Sequence, residues 1–568
     1  MSGPAGDTAD RQDGREGLAL GSEKRILDES DGGGEGRISA PNPDEAAGPN
    51  PEGAEGADPT AGVRRRRPVP PIRVAGGSHL RARLAARRVP VTAEVERRLR
   101  SVCAVETEPL RVAEASRDWW PLAMVWATGG EYPALAACVA RPSDASQVAE
   151  VLRVCSEDRV PVTVAAGRSG VCGGSVPVHG GVVLDLTSLS GIRELDETSL
   201  VLDVLAGTYG DDLERDLRER WGLTLGHWPQ SISLSTVGGW LACRSAGQMS
   251  TRYGKIEDMV LGLDVALADG RLVRTGDAPR PAVGPDLTQV FVGSEGTLGV
   301  ICAARLRVHP APSHTVKAAW LCGSFESGVD LCRRILRRGA TPAVLRLYDA
   351  TEAVRNFSTP EGRALLIVLD EGDRNLVEAV LGICREEAAA GGDDASEPHD
   401  EAVVDRWLEH RNDVSALEAL ISKGFVVDTM EVTARWGALP SVYRAVTDAL
   451  AGVEGTLVAS AHLSHSYTSG ACLYFTFAGR PEPDERERYY CRAWEEATRA
   501  ALRAGAALSH HHGVGLNRAR FMREALGDAF GVLQEIKRAL DPAGVLNPGK
   551  FGFEDPFGPV GWPSEEVR

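Results

Sequence analysis

From residue 138 onward, apolar positions recur with the periods of regular secondary structure. Between Ser143 and Asp158 the residues Val148, Val151, Leu152 and Cys155 lie at offsets of 3, 4 and 7. These offsets mark one face of a helix, with Ser143 placed to cap it. Val160–Val164, Gly181–Leu186 and Leu200–Leu205 are short β-branched runs that predict strands. Met259–Ala268 and Leu272–Val273 flank Asp269-Gly270, a pair favoured in two-residue hairpins. Thr297–Val308 closes this block as a further strand. Mixed helix and strand over 135–310 predict an α+β or α/β domain. After Pro310 and Pro312 the alternation resumes, with an insertion rich in Ala, Glu, Gly and Asp near 387–399. A last amphipathic helix is predicted over 521–540, stopped by Asp541-Pro542. The chain thus divides into a tail and linker (1–90), a helical segment (91–130), two larger units (131–311 and 312–520) and a closing segment (521–568).

Composition separates the start from the rest. Residues 1–62 hold 14 acidic and 5 basic residues and no Trp, Tyr or Phe. Such a segment buries too little apolar surface to offset its ordering entropy, so disorder is expected. The run Arg64 to Arg67, before Pro68, Pro70 and Pro71, reads as a solvated linker. A net charge of −17 over 568 residues gives no electrostatic footprint for nucleic acid. No apolar run reaches membrane-spanning length, and no secretory signal is evident. Eleven cysteines without a Cys-x-x-Cys pair indicate neither a disulfide framework nor a zinc site. A soluble, cytoplasmic protein of a reducing compartment is expected.

Two glycine clusters mislead. Gly544 to Lys550 fits the start of a phosphate-binding P-loop, but Phe551 stands where the magnesium-binding hydroxyl is required. Gly32-Gly33-Gly34 lies in the acidic segment, and no dinucleotide fingerprint follows a strand. The informative stretches are four. Val164-Ala165-Ala166-Gly167-Arg168-Ser169-Gly170 follows a predicted strand, where convergent backbone N–H groups suit a pyrophosphate. Gln230-Ser231-Ile232-Ser233-Leu234-Ser235-Thr236, then Cys243-Arg244-Ser245-Ala246, then Glu295-Gly296-Thr297-Leu298-Gly299-Val300-Ile301 add small hydroxyls beside tight turns.

In this order, the four stretches resemble the FAD domain of the vanillyl-alcohol oxidase (PCMH-type) family. The resemblance implies an α+β fold: a flavin domain of two α/β subdomains over 131–311, a substrate-side cap over 312–520, and a closing segment that returns to the flavin domain. It also implies noncovalent FAD held by the residues just named. Flavin-dependent 2-hydroxy-acid dehydrogenases of this family carry Gly-His-x-Gly-Asp-Gly-Asn-x-His and Glu-His-Gly metal motifs. Here Tyr474 stands at the second His and His511 at the Glu, so no metal is expected.

Gly470 to Phe475 and Ser509 to Gly515 instead resemble the alkyldihydroxyacetone phosphate synthases. Those enzymes use flavin without net redox to exchange the acyl group of acyl-dihydroxyacetone phosphate for a fatty alcohol. The resemblance implies Tyr474 as acid/base, its pKa lowered from near 10 by neighbouring cations. Arg411 would clamp the substrate phosphate. Arg346 would be a second required arginine, and His510, His511 and His512 would stabilise the leaving carboxylate and deprotonate the alcohol. A lipid-type substrate, peripheral contact with a membrane surface and a homodimer are further expectations. The competing classes are an FAD-linked oxidase or dehydrogenase of a hydroxy acid or alcohol, and a flavin-loaded interaction protein with a partner-recruiting tail.

Overall fold

The fold was read from a computed structural model, which describes residues 70, 72, 80–391, 396–413 and 416–563. The acidic segment 1–62 and the Arg64–Arg67 run lie outside the described residues, as does part of the 387–399 insertion. Among the described residues, no helix is long and apolar enough to cross a membrane.

Among the described residues, the two larger sheets of the amino-terminal half have four and five strands. Cys138–Arg141, Val182–Asp185 and Val162–Ala165 run parallel, with Ala104–Glu106 antiparallel at the edge. Beside them stands a five-stranded antiparallel sheet ordered Leu272–Thr275, Val260–Ala266, Val300–Arg307, Val201–Leu205 and Ile192–Asp196. The carboxyl-terminal half is a seven-stranded antiparallel sheet. Its order is Glu397–His399, His314–Cys322, Ala364–Gly372, Val344–Tyr348, Thr456–Tyr467, Gly470–Gly479 and Val426–Arg435. Leu345, Leu347, Leu463, Leu473 and Phe475 point to one face of it, into a core shared with helices Phe325–Arg337, Leu439–Ala451 and Arg486–Arg503. Side chains alternate along a strand. Arg346, Tyr348, His462 and Tyr474 therefore occupy the opposite face.

Several local expectations change. The helix Ala145–Glu157 buries the predicted face, but its cap is Asp144, whose carboxylate accepts from the Gln147 N–H. Ser143 sits one residue too early and instead donates its own N–H to the Gln147 side chain. The reversal after Val260–Ala266 spans 267–271, since Leu267 donates to the Arg271 carbonyl and Gly270 adopts φ +84°. The strand expected from Thr297 begins at Val300, because Thr297 closes a turn onto the Ser294 carbonyl. The single helix expected over 521–540 is two, Met522–Leu526 and Ala529–Leu540, split at Gly527 with φ +54°.

The closing segment packs against the amino-terminal half. Val162 donates to the Val545 carbonyl and Asn547 to Val162, while Val545 and Leu546 join the core around Val148 and Leu152. Asn547 Nδ2 also donates to the carbonyls of Gly174 and Glu295. The tail thereby pins two of the glycine-rich loops.

Candidate active site

A cavity of about 2610 Å³ opens between those loops and the second face of the seven-stranded sheet. A site for one drug-sized ligand is about 300–1,000 Å³, so this space suits a dinucleotide with a second reactant. Its wall includes residues 164–170, 230, 231, 234–236, 243, 245, 246, 295, 296 and 299–301, all named from sequence. Gly167 shows why the loops need glycine: a Cβ there would lie 2.1 Å from the Leu234 carbonyl oxygen. Arg168 (φ +53°) and Glu295 (φ +48°) take the left-handed conformation, which helps a loop present its N–H groups to an anion. On the far wall, Gln248 Oε1, Arg346 Nε, Arg411 Nη1 and Ser464 Oγ are buried with no protein partner. Buried polar atoms are normally paired. The loops and these orphaned atoms together fit FAD and a polar reactant.

Six sequence-named residues lie off the wall. Ile232 and Leu298 are in the core beneath it. Thr297 closes the turn described above. Arg244, at φ +54°, turns its guanidinium to the Gln289 carbonyl. Ser233 and His510 are also not on the wall, His510 standing behind His511.

The substrate side is organised by strand register. Glu431 pairs with Tyr474, Tyr474 with His462, and His462 with Tyr348, so one row crosses four strands. The Tyr474 hydroxyl hydrogen-bonds Thr429 Oγ1 at 3.0 Å, and its ring stacks on His462 at 4.9 Å. His462 bridges Arg346, whose Nη2 donates to Nε2 at 2.5 Å, and Glu352, which lies 2.7 Å from Nδ1. An arginine can only donate, so the imidazole is neutral, with its proton on Nδ1 toward Glu352. Glu352 also accepts from Ser460 and Thr476. Burial, helped by Arg346 and opposed by Glu352, pushes the His462 pKa down to about 4.

Tyr474 behaves differently from the expectation. Burial raises its pKa above the ordinary tyrosine value, and Glu431 and Asp428 add to this against the hydrogen bond with Thr429 and weaker help from Arg346. In the structure as it stands, the phenol holds its proton.

Arg346 and Arg411 approach Trp407 at 5.9 and 5.5 Å, while Arg411 also lies 5.6 Å from the Trp228 ring. The two guanidiniums thus share one aromatic wall, each with an unpartnered nitrogen. The sequence-named pair is brought together despite the long spacing between them.

The histidine triplet sits in a turn held by two carboxylates. Glu431 accepts the N–H groups of His510, His511 and His512 and the Ser509 hydroxyl. Burial works against the charge of Glu431, but Arg518 and His512 hold its pKa down to about 2. Glu295 accepts the N–H groups of Val514 and Gly515 at 2.6 and 2.8 Å. Burial raises Glu295 to about 7 against these donors. Gly513, at φ +84°, is required beside it, since a Cβ would stand 2.4 Å from Glu295 Oε1. His511 and His512 line the cavity, and burial lowers both pKa values, that of His512 to about 4.

Ring nitrogens of His465, His510 and His511 lie within 4.8 Å of one another, close enough to share a metal ion. The same rings are engaged in hydrogen bonds, with His465 Nδ1 on Ser250 and His510 Nδ1 on His511 Nδ1. His462, Glu352, Glu431, Thr429 and His465 were not named from sequence. His462 and His465 were visible in the string before Tyr474. The two glutamates carry no local signal and enter only through strand pairing and the turn.

Residues 136–276 match the family described as FAD binding domain, and residues 311–551 match FAD linked oxidases, C-terminal domain. The FAD-linked oxidoreductase YgcU of Escherichia coli strain K12 is 30% identical over 430 residues, covering 73% of this chain and 88% of its own. Alkyldihydroxyacetonephosphate synthase of Dictyostelium discoideum is 27% identical, covering 72% of each chain. A solved alkyldihydroxyacetonephosphate synthase superposes with a TM-score of 0.67 at 22% identity, over 82% of this chain and 87% of that one. p-Cresol methylhydroxylase with substrate bound gives 0.66 at 18% identity, over 83% and 99%. At these identities the two structures speak for the fold, a PCMH-type FAD-binding domain with a second, carboxyl-terminal domain.

Proposed function

The chain belongs to the FAD-linked oxidase family and takes FAD as its cofactor, and on that premise we propose that it is an ether-forming transferase of the alkyldihydroxyacetone phosphate synthase kind. The observation that carries this reading is the pairing of Arg346 and Arg411 around Trp407, each with a bare buried nitrogen, on the wall shared by Tyr474 and the histidine turn. Planar guanidiniums suit a phosphate dianion. Neutral histidines and a protonated phenol suit proton movement beside a ketone.

When bound, FAD supplies the electron-poor ring through which the acyloxy group beside the ketone is exchanged. The chain does the rest. Arg411 holds the phosphate, and Arg346, fixed by His462 and Glu352, holds the carbonyl end. Tyr474 keeps a proton at its hydroxyl, oriented by Thr429, for the oxygen on which charge develops. His511 or His512, neutral in its buried turn, accepts the proton of the incoming alcohol. The balance is acyl ester plus alcohol giving alkyl ether plus carboxylate plus one proton, with no electrons left over.

The second reading is an FAD-linked dehydrogenase of a hydroxy acid. It is favoured by His462 beside Tyr474 and by the 28% identity to glycolate oxidase subunit GlcD of Bacillus subtilis, over 75% of this chain and 91% of that one. Arg346 and Arg411 would then bind a carboxylate. The discriminating assay is anaerobic incorporation of a labelled long-chain alcohol into acyl-dihydroxyacetone phosphate by the holoenzyme. Ether formation without an electron acceptor supports the transferase. Flavin bleaching by a hydroxy acid, with one acceptor consumed per turnover, decides for the dehydrogenase.

A further inference from the structure

We propose that His511, His510 and Tyr467 form a proton relay from the cavity wall to the exterior, with Tyr467 as its outer member. His511 lines the cavity, whereas His510 and Tyr467 do not. The contacts are continuous: His511 Nδ1 to His510 Nδ1 at 2.8 Å, then His510 Nε2 to the Tyr467 hydroxyl at 2.9 Å. His510 is 7% exposed, and Tyr467, at the end of strand Thr456–Tyr467, is half-buried. The line thus runs from the cavity through a buried imidazole to a half-buried phenol, whose pKa burial raises against a hydrogen bond with Ser250, so that it passes protons on while remaining protonated.

The surroundings fix this line. Lys255 Nζ donates to the His510 carbonyl at 2.7 Å and pairs with Glu257 at 2.9 Å. His465, anchored to Ser250 at 2.7 Å, stacks on His510 at 5.0 Å and meets His511 edge-on. Burial, with the Lys255 ammonium adding to it, holds His465, His510 and His511 neutral. A neutral imidazole is both donor and acceptor, which is what a relay requires. A shared metal would need the His510 Nδ1 lone pair, which the hydrogen bond from His511 engages.

Proton accounting closes. His511 starts with its proton on Nδ1, donated to His510 Nδ1, and His510 with its proton on Nε2, donated to Tyr467. A proton arriving at His511 Nε2 drives the Nδ1 proton onto His510. His510 then passes its Nε2 proton to the Tyr467 oxygen, and the tyrosine releases its own to water. One proton enters and one leaves, and both imidazoles change tautomer. The inference rests on the functional reading only in that turnover liberates a proton.

The test uses Tyr467→Phe holoenzyme, which keeps the ring and the backbone carbonyl that accepts from Trp436. The expected result is kcat lower by about 10²-fold, KM unchanged, and recovery as imidazole buffer is added, while wild type ignores the buffer. Wild-type kcat in the variant, or a loss that imidazole does not restore, overturns the relay. Nitrogen-15 spectra of histidine-labelled protein give an independent reading: His510 should be protonated on Nε2 in wild type and lose that preference in the variant. An unchanged His510 signal overturns the relay. So does one equivalent of divalent metal retained by wild type and lost in His465→Gln. If wild type makes no ether, the functional reading falls, and the tautomer measurement decides the relay alone.

Discussion

Glu431 and Arg518 meet at 3.1 Å with neither side chain exposed, and Glu431 carries the backbone of the whole histidine triplet. Arg518 also donates to the Gly513 carbonyl at the end of that turn. Removing one member of a buried pair strands the other charge, typically at a cost of about 3–5 kcal/mol. Glu431→Gln is therefore expected to lower the melting temperature and to reduce turnover together, because three N–H groups lose a charged acceptor. Thermal unfolding of the holoenzyme beside initial rates checks this. A variant with wild-type stability and activity would show that the turn holds itself.

Tyr474→Phe separates chemistry from structure. Only the hydroxyl bonded to Thr429 is lost, and the ring can still stack on His462. Turnover is expected to fall by about 10²–10⁴-fold, with the flavin spectrum and melting temperature unchanged. Wild-type turnover in this variant removes Tyr474 from the mechanism.

The parts of the site that sequence reveals are those written in contiguous residues. Glycine is required in the loops at 164–170 and 295–301 by close approach, of the Leu234 backbone to Gly167 and of the Val164 and Val265 side chains to Gly296 and Gly299. The histidine triplet announces itself by its turn. The Arg346–His462–Glu352 cluster is different, because its members meet only through the pairing of strand Val344–Tyr348 with Thr456–Tyr467 and the helix Ala350–Phe357 that follows. No local pattern encodes that register. The ionisation of Tyr474 departs from the sequence expectation for a related reason. Arg346 is near, but burial and the Glu431 and Asp428 carboxylates outweigh it. A long helix over 521–540 satisfied the apolar period, yet one glycine with a positive φ divides it.

Arg411→Lys tests the anion site. A point charge on a flexible stem cannot reproduce a planar fork held against Trp228 and Trp407. The KM for the phosphate-bearing substrate is expected to rise at least about tenfold, roughly 1.4 kcal/mol of binding, with kcat changed less. Saturation kinetics in acyl-dihydroxyacetone phosphate check it. An unchanged KM with a reduced kcat would place Arg411 at the reacting centre instead.

The pH profile follows from burial. A histidine whose pKa is lowered stays neutral to a lower pH than its ordinary 6.5 allows. His462 and His512 are both pushed down to about 4, and His511 is also shifted well below its ordinary value. If their neutral forms are the working ones, activity persists as pH falls through 6.5 and is lost only near 4. On the alkaline side, Tyr474 keeps its proton past its ordinary value near 10, so no tyrosine limb appears below that pH. Initial rates of ether formation across overlapping buffers, with flavin absorbance confirming that FAD stays bound, should therefore show no histidine limb between about pH 5 and about pH 7 and no tyrosine limb below about pH 10. The one inflection expected between them is that of the Glu295 carboxyl near 7, which a Glu295→Gln variant removes. An acidic limb near 6.5 that persists in Glu295→Gln would mean that water reaches the histidine turn during turnover. Buried neutral imidazoles would then not be the proton acceptors, and the alcohol would have to lose its proton elsewhere.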